Sequence, residues 1–134
     1  MAKTGQPQFG GLHFWVRDLN ATLAFYRAIG LEPGEPNNDD FLSFDVHDGM
    51  SFAFGTYGLT RQYDPAFEPP MDGAKGAAAL QFTLATRAAV DELYERLTSA
   101  GYASHLAPID AFWRARYCEV ADPDGNVVGF HGRD

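Results

Sequence analysis

Leu12, Phe14 and Val16 alternate with Gly11, His13 and Trp15, the two-residue period of a strand with one face turned to a core. Asp18 or Asn20 can cap the helix that follows, whose apolar stripe is Leu23, Tyr26 and Ile29, and Gly30 stops it. The same sentence is written again later in the chain. Leu80, Phe82 and Leu84 alternate with Ala79, Gln81 and Thr83, Thr86 is placed to cap, and Val90, Leu93, Leu97 and Ala100 form a second helical stripe before Gly101. Short strands are predicted after each helix: 41–46 and 51–55 around the turn His47-Asp48-Gly49, then a strand near 103–106, one over 114–121 and a last one over 127–131. Asp122, Pro123, Asp124, Gly125 and Asn126 spell the turn into that last strand.

Two copies of one strand–helix–strand unit therefore emerge, the first over about 9–57 and the second over about 77–132. Pro65, Pro69, Pro70, Gly73 and Gly76 fall between them, so about 58–76 is predicted as a linker that extends neither helix nor central strand.

Composition narrows the class. A chain of 134 residues is one domain's worth, and 46% apolar residues with eleven Phe and six Tyr can fill a core. No apolar run approaches the length of a membrane span, the N-terminal residues lack the apolar centre of a secretory signal, and the single Cys118 excludes an internal disulfide. A soluble cytoplasmic protein is expected. Ten basic against eighteen acidic residues, a net charge of −8, disfavour nucleic acid and anionic membranes as partners. Asp39, Asp40, Asp45 and Asp48 concentrate acid in the first half and mildly favour a cationic partner, although a solvated acidic surface explains them as well.

Val16-Arg17-Asp18-Leu19 with Phe25-Tyr26 and Gly30-Leu31, followed at this distance by the turn at 122–126, resembles the vicinal oxygen chelate superfamily of glyoxalases, bleomycin-resistance proteins and extradiol dioxygenases. The resemblance covers about 9–132. It implies an α+β fold in which two βαβββ units form a curled mixed sheet around a cleft, with helices outside, and it implies a homodimer.

Metal-dependent members of that family take one ligand, usually His, Gln or Glu, from the first and the fourth strand of each unit. Carried onto this chain, those positions are Gly11, Ala53, Ala79 and Gly129. None has a side-chain donor, whereas a catalytic divalent site needs about three protein ligands. The resemblance thus implies the fold without its metal, and no metal, cofactor or catalytic residue is assigned. A competing arrangement shifts each ligand two residues along its strand, to His13, Gln81 and His131, with Gly55 in the fourth place.

Alternation puts Trp15 on the face away from the helix. Phe112 and Trp113 fall in an expected loop over 108–114, and Tyr57 follows the first unit; loop aromatics are harder to explain as core. Arg114 and Arg116 could meet an anionic ligand group or pair with the acidic surface. His47, His105, Asp45 and Glu119 are read as surface groups, and Cys118 as a packed thiol. The expected ligand-binding set is Trp15, His13, Tyr57, Gln81, Phe112, Trp113 and His131. It suits a metal-free protein that binds or sequesters a planar or aromatic small molecule, such as a drug or natural product, in the manner of antibiotic-resistance proteins. The alternative is a metal-dependent lyase, isomerase or dioxygenase of the same superfamily with displaced ligands.

Overall fold

The computed structural model describes residues 5–71, 76 and 78–134. The chain divides into two compact units, Met1–Pro69 and Pro70–Asp134. Both mix helix with an open sheet, which is the α+β class the patterning predicts.

The first unit contains β1 (Gly11–Val16), α1 (Leu19–Ala28), β2 (Phe41–His47), β3 (Met50–Thr56) and α2 (Tyr57–Tyr63). Its sheet has the order β1-β3-β2, with β1 parallel and β2 antiparallel to β3. Of the two candidate caps, Asp18 is the one used: its Oδ1 accepts from the amide of Ala21 at 3.2 Å. The buried face of α1 is Leu19, Leu23, Phe25 and Tyr26, while Ile29 is the half-buried cap residue past its end. Phe25 was missing from the predicted stripe because it lies beside Tyr26, and only a helix face wider than one row takes both. Tyr26 stacks on Phe54 at 5.2 Å between ring centroids, and Phe14 and Phe52 complete an aromatic core on that side of the sheet. Asp48 and Gly49, both with positive φ, form the two-residue β2–β3 turn, as an Asp-Gly pair favours.

The expected linker needs correction. It opens with α2, capped by Thr56, whose Oγ1 accepts from Leu59 at 3.2 Å. Every proline of the stretch lies beyond Tyr63, so none interrupts the helix. The rest of the expected linker, with Gly73, and the predicted start of the second unit at 77 fall partly on 72–75 and 77, outside the described residues.

The second unit runs β4 (Ala79–Leu84), α3 (Arg87–Ser99), β5 (Ser104–Ala111), β6 (Ala115–Ala121) and β7 (Val127–Gly132), the full βαβββ order. Its sheet is β4-β7-β6-β5, with β4 and β7 parallel. Thr86 caps α3 through the amide of Ala89 at 3.1 Å, and Val90, Leu93 and Leu97 bury its stripe against the sheet, while Ala100 is exposed. β5 runs past Pro108 to Ala111, so the expected loop over 108–114 shrinks to Phe112, Trp113 and Arg114. Proline is compatible here because β5 is an edge strand, interrupted by register shifts between Ser104 and Ile109. The turn at 122–126 is built by one side chain. Asp122 is 5% exposed, and its carboxylate accepts from the amides of Asp124 and Asn126 and from the Asn126 side chain at 2.9–3.0 Å.

Among the described residues no helix is long and apolar enough to cross a membrane.

Candidate functional site

Alternation turns one sheet face of each unit away from α1 or α3, and most of the predicted site residues lie on those two faces, with α2 packed beside the first.

In the first unit, His13 and Trp15 project from β1 on the side opposite Phe14 and Val16. His13 stacks beside Phe41 of β2, ring centroids 6.3 Å apart and planes 28° from parallel, and meets Trp15 edge-on at 6.3 Å. Trp15 and Tyr57 each lie 5.6 Å from the same ring, that of Phe67, over which the Arg61 guanidinium sits at 5.9 Å. His13, Trp15 and Tyr57, predicted separately, thus belong to one aromatic group, joined by Phe41 and Phe67, which the sequence reading missed. Beside it opens a pocket of about 380 Å³ lined by Gly11, His13, Ser43, Ser51 and Ala53, among others. Ser51 Oγ donates to Asp45 Oδ1 at 2.8 Å, which orients that carboxylate along the sheet.

The second unit carries a continuous chain of hydrogen bonds. The Trp113 indole N–H donates to His131 Nδ1 at 3.1 Å, and His131 Nε2 meets Gln81 Oε1 at 2.6 Å. Gln81 Nε2 donates to Tyr117 Oη at 3.1 Å, and that hydroxyl donates to Glu119 Oε2 at 2.6 Å. His105 Nδ1 closes the row on Glu119 Oε1 at 3.3 Å. An indole N–H can only donate, so Nδ1 of His131 must accept and Nε2 must carry the ring proton towards Gln81. From Trp113 to Glu119 every donor points the same way, and His105 donates to Glu119 from the other end. Burial, assisted by Arg133, lowers the His131 pKa below its usual 6.5. Burial and then the bond to Glu119 push the Tyr117 hydroxyl up to about 12.

Two expectations change here. Glu119 and His105 are members of this row rather than isolated surface groups. A carboxylate does reach the site, from β6 instead of β7, because Glu119 pairs directly across from Gly129. The signal was available: Cys118 and Val120 are apolar, so Tyr117 and Glu119 alternate onto the other face with His131. Arg116 takes the structural course, pairing with Asp91 at 2.9 Å and Asp110 at 3.3 Å. Cys118 is fully buried and burial pushes its thiol up to about 12, far from a reactive thiolate. Phe112 touches Trp113 edge-on at 5.0 Å and is 94% exposed.

The residues present do not fit the divalent ion of the resembled family. At Gly11, with φ +135°, an added Cβ would stand 2.2 Å from the backbone oxygen of Ser51, so β3 occupies the room of a ligand side chain. At Gly129 an added Cβ would stand 2.6 Å from Tyr117 Oη and 2.7 Å from Gln81 Oε1. The row of hydrogen bonds fills the place of the family's glutamate. In the displaced arrangement, both nitrogens of His131 are already engaged. Among the described residues no three His, Cys, Asp or Glu side chains come together as an ion would require.

The lowered His131 pKa has a measurable consequence. The fold favours the neutral ring, so its contribution to stability is complete above about pH 6.5 and is lost as pH falls through the lower folded value. Urea unfolding at pH 7.5 and 5.0 is expected to show a larger loss for the wild type than for His131→Asn. Equal losses in both would disprove the lowered His131 pKa.

Several solved structures share the fold. A glyoxalase-related enzyme from Fulvimarina pelagi is 22% identical, with a TM-score of 0.76 over 95% of this chain and 89% of that one. A lactoylglutathione lyase from Agrobacterium tumefaciens is 22% identical, with a TM-score of 0.65 over 94% of each chain. A fosfomycin resistance protein from Listeria monocytogenes, complexed with Mn(II) and a dihydroxypropylphosphonic acid, is 17% identical, with a TM-score of 0.69 over 95% of this chain and 90% of that one. At such identities the likeness speaks for the fold alone. No curated protein matches the chain in sequence. The family model of the glyoxalase/bleomycin resistance protein/dioxygenase superfamily matches residues 8–130, nearly the whole length, and the chain belongs to that superfamily.

Proposed function

We propose that this chain is a metal-independent binding protein for a planar or aromatic small molecule, with no catalytic step assigned to it. The observation that carries the reading is the replacement of ligand positions by glycines that the surrounding structure holds free of side chains, Gly11 by β3 and Gly129 by Tyr117 and Gln81. Without a Lewis acid, the chemistry that defines the enzymes of such a family has no electrophilic centre. What remains is surface suited to recognition. Flat rings at Trp15, Phe41, Tyr57 and Phe67, with the imidazole of His13, favour stacking on a conjugated ligand. The second unit offers Trp113, Phe112, Gln81 and His131 as further candidate contacts.

Calorimetric titration of a planar conjugated compound into EDTA-treated protein is expected to saturate. Trp15→Ala should weaken that binding about threefold to tenfold, the loss of one stacking partner. Binding that appears only after a divalent metal is restored would favour the lyase, isomerase or dioxygenase reading instead.

The same reading includes a homodimer. Leu12, Met50 and Ile109 remain 37–39% exposed on strands, apolar area that a second copy would cover. Light scattering at micromolar concentration should give twice the 14.7 kDa chain, about 29 kDa. A mass that stays near one chain at high concentration would exclude the dimer.

A further inference from the structure

Each unit pairs its first strand in parallel with its last, β1 with β3 and β4 with β7, and the open faces of these pairs can be compared position by position. His13 pairs across from Ala53 as Gln81 pairs across from Gly129, and Trp15 from Gly55 as Thr83 from His131. Yet the copies end differently. In the second unit the ground around Gly129 is filled: Tyr117 Oη and the Gln81 amide occupy the room of a side chain, and each is hydrogen-bonded to further members of the row. In the first unit the equivalent ground around Ala53 is the pocket of about 380 Å³, with the Ser43 and Ser51 hydroxyls on its lining and the His13 ring at its edge. The counterpart of Tyr117 is Phe41, which faces Gly55 as Tyr117 faces His131, but Phe41 packs beside His13 and has no hydroxyl to bridge the sheet. Ser43, facing Ala53 from the neighbouring strand, is too short.

We infer that the ligand's seat is this first-unit pocket alone, the second-unit counterpart being closed by its own side chains, and that the seat takes a flat ring system bearing hydrogen-bond donors and no negative charge. The inference rests on the binding function proposed above and deepens it. Ring stacking follows from His13, whose ring lines the pocket, and from Phe41 beside it, 6.3 Å away with planes 28° apart. Donor groups follow from what lies beside it. The Asp45 carboxylate, held by Ser51, can only accept, and the two serine hydroxyls can accept as well. The sign of charge follows from the sequence: residues 1–69 contain nine Asp or Glu against four Lys or Arg, a net of −5, so an anionic ligand meets repulsion before it arrives.

The test uses the full-length chain, proflavine as a planar cation with exocyclic amino donors, and anthraquinone-2-sulfonate as a planar anion, each titrated by calorimetry. Proflavine is expected to bind saturably and the sulfonate at least about tenfold more weakly. Ala53→Phe, which fills the pocket, should weaken proflavine at least about tenfold. Ser43→Trp fills it from β2 and gives the same answer if the first variant misfolds, as circular dichroism and melting would reveal. Glu119→Gln, in the closed second unit, should leave proflavine binding within about twofold. If proflavine binds the wild type, and binds folded Ala53→Phe and Ser43→Trp equally well, the seat is not here and this inference fails while the binding function stands. Loss of binding in Trp113→Ala or His131→Ala under those conditions would place it in the second unit. Tighter binding of the sulfonate would overturn the charge assignment. If neither compound binds the wild type, the proposed function fails together with the seat.

Discussion

Gly11→His, which puts back the side chain that metal-dependent relatives of this fold use, is expected to damage the fold rather than create a metal site. Two costs add at this position. The backbone stands at φ +135°, a region where L side chains are strained by about 1–3 kcal/mol. The new Cβ would also lie 2.2 Å from the Ser51 carbonyl oxygen, a backbone atom that can yield only if β1 and β3 shift their pairing. Overpacking of that kind costs a further 1–3 kcal/mol or so. Against a total stability of roughly 5–15 kcal/mol, such a loss should lower Tm by on the order of 10 °C. Thermal unfolding with and without zinc measures it directly. A variant as stable as the wild type, or one stabilised by zinc, would mean that β1 and β3 leave room for a ligand after all.

Gly129→Glu should be destabilising for a different reason. Here the atoms in the way are the ends of two side chains, Tyr117 Oη and the Gln81 amide, so the backbone need not move. They must swing aside, and the row from Trp113 to Glu119 is cut at its middle. Each polar group left without a partner costs about 1–3 kcal/mol, so a loss of about 2–5 kcal/mol is expected. The new carboxylate would also arrive opposite Glu119, a like charge. If the clash is the cause, removing Tyr117 first should relieve it. The double variant Tyr117→Ala/Gly129→Glu is expected to lose less stability than the two single variants together. Strict additivity in urea unfolding would refute the explanation.

Much of this architecture is legible in the residues, because period and capping are local properties. The alternation in β1 and β4, the caps at Asp18 and Thr86 and the two apolar helix stripes require no knowledge of distant contacts. Where the reading failed, the deciding fact lay in another strand. Nothing near Glu119 in sequence says that Gly129 stands opposite it, and nothing near Phe41 or Phe67 says that His13 and Trp15 are their neighbours. The linker misled for a simpler reason. Its prolines and glycines read as one stretch, although Thr56 and the seven residues after it make a capped helix before the first proline. The absence of donor side chains at positions 11 and 129 was visible in the sequence. That both positions are closed to side chains depends on the approach of Ser51 and Tyr117, which only the fold reveals.

The central claim is that ligand recognition here is independent of metal. One measurement tests it most directly: calorimetric titration of proflavine into EDTA-treated protein, repeated after dialysis against zinc and manganese, with the metal content of each sample determined. The account predicts saturable binding with the same dissociation constant in all samples, and far less than one metal per chain. About one ion retained per chain, with binding that depends on it, would contradict the account.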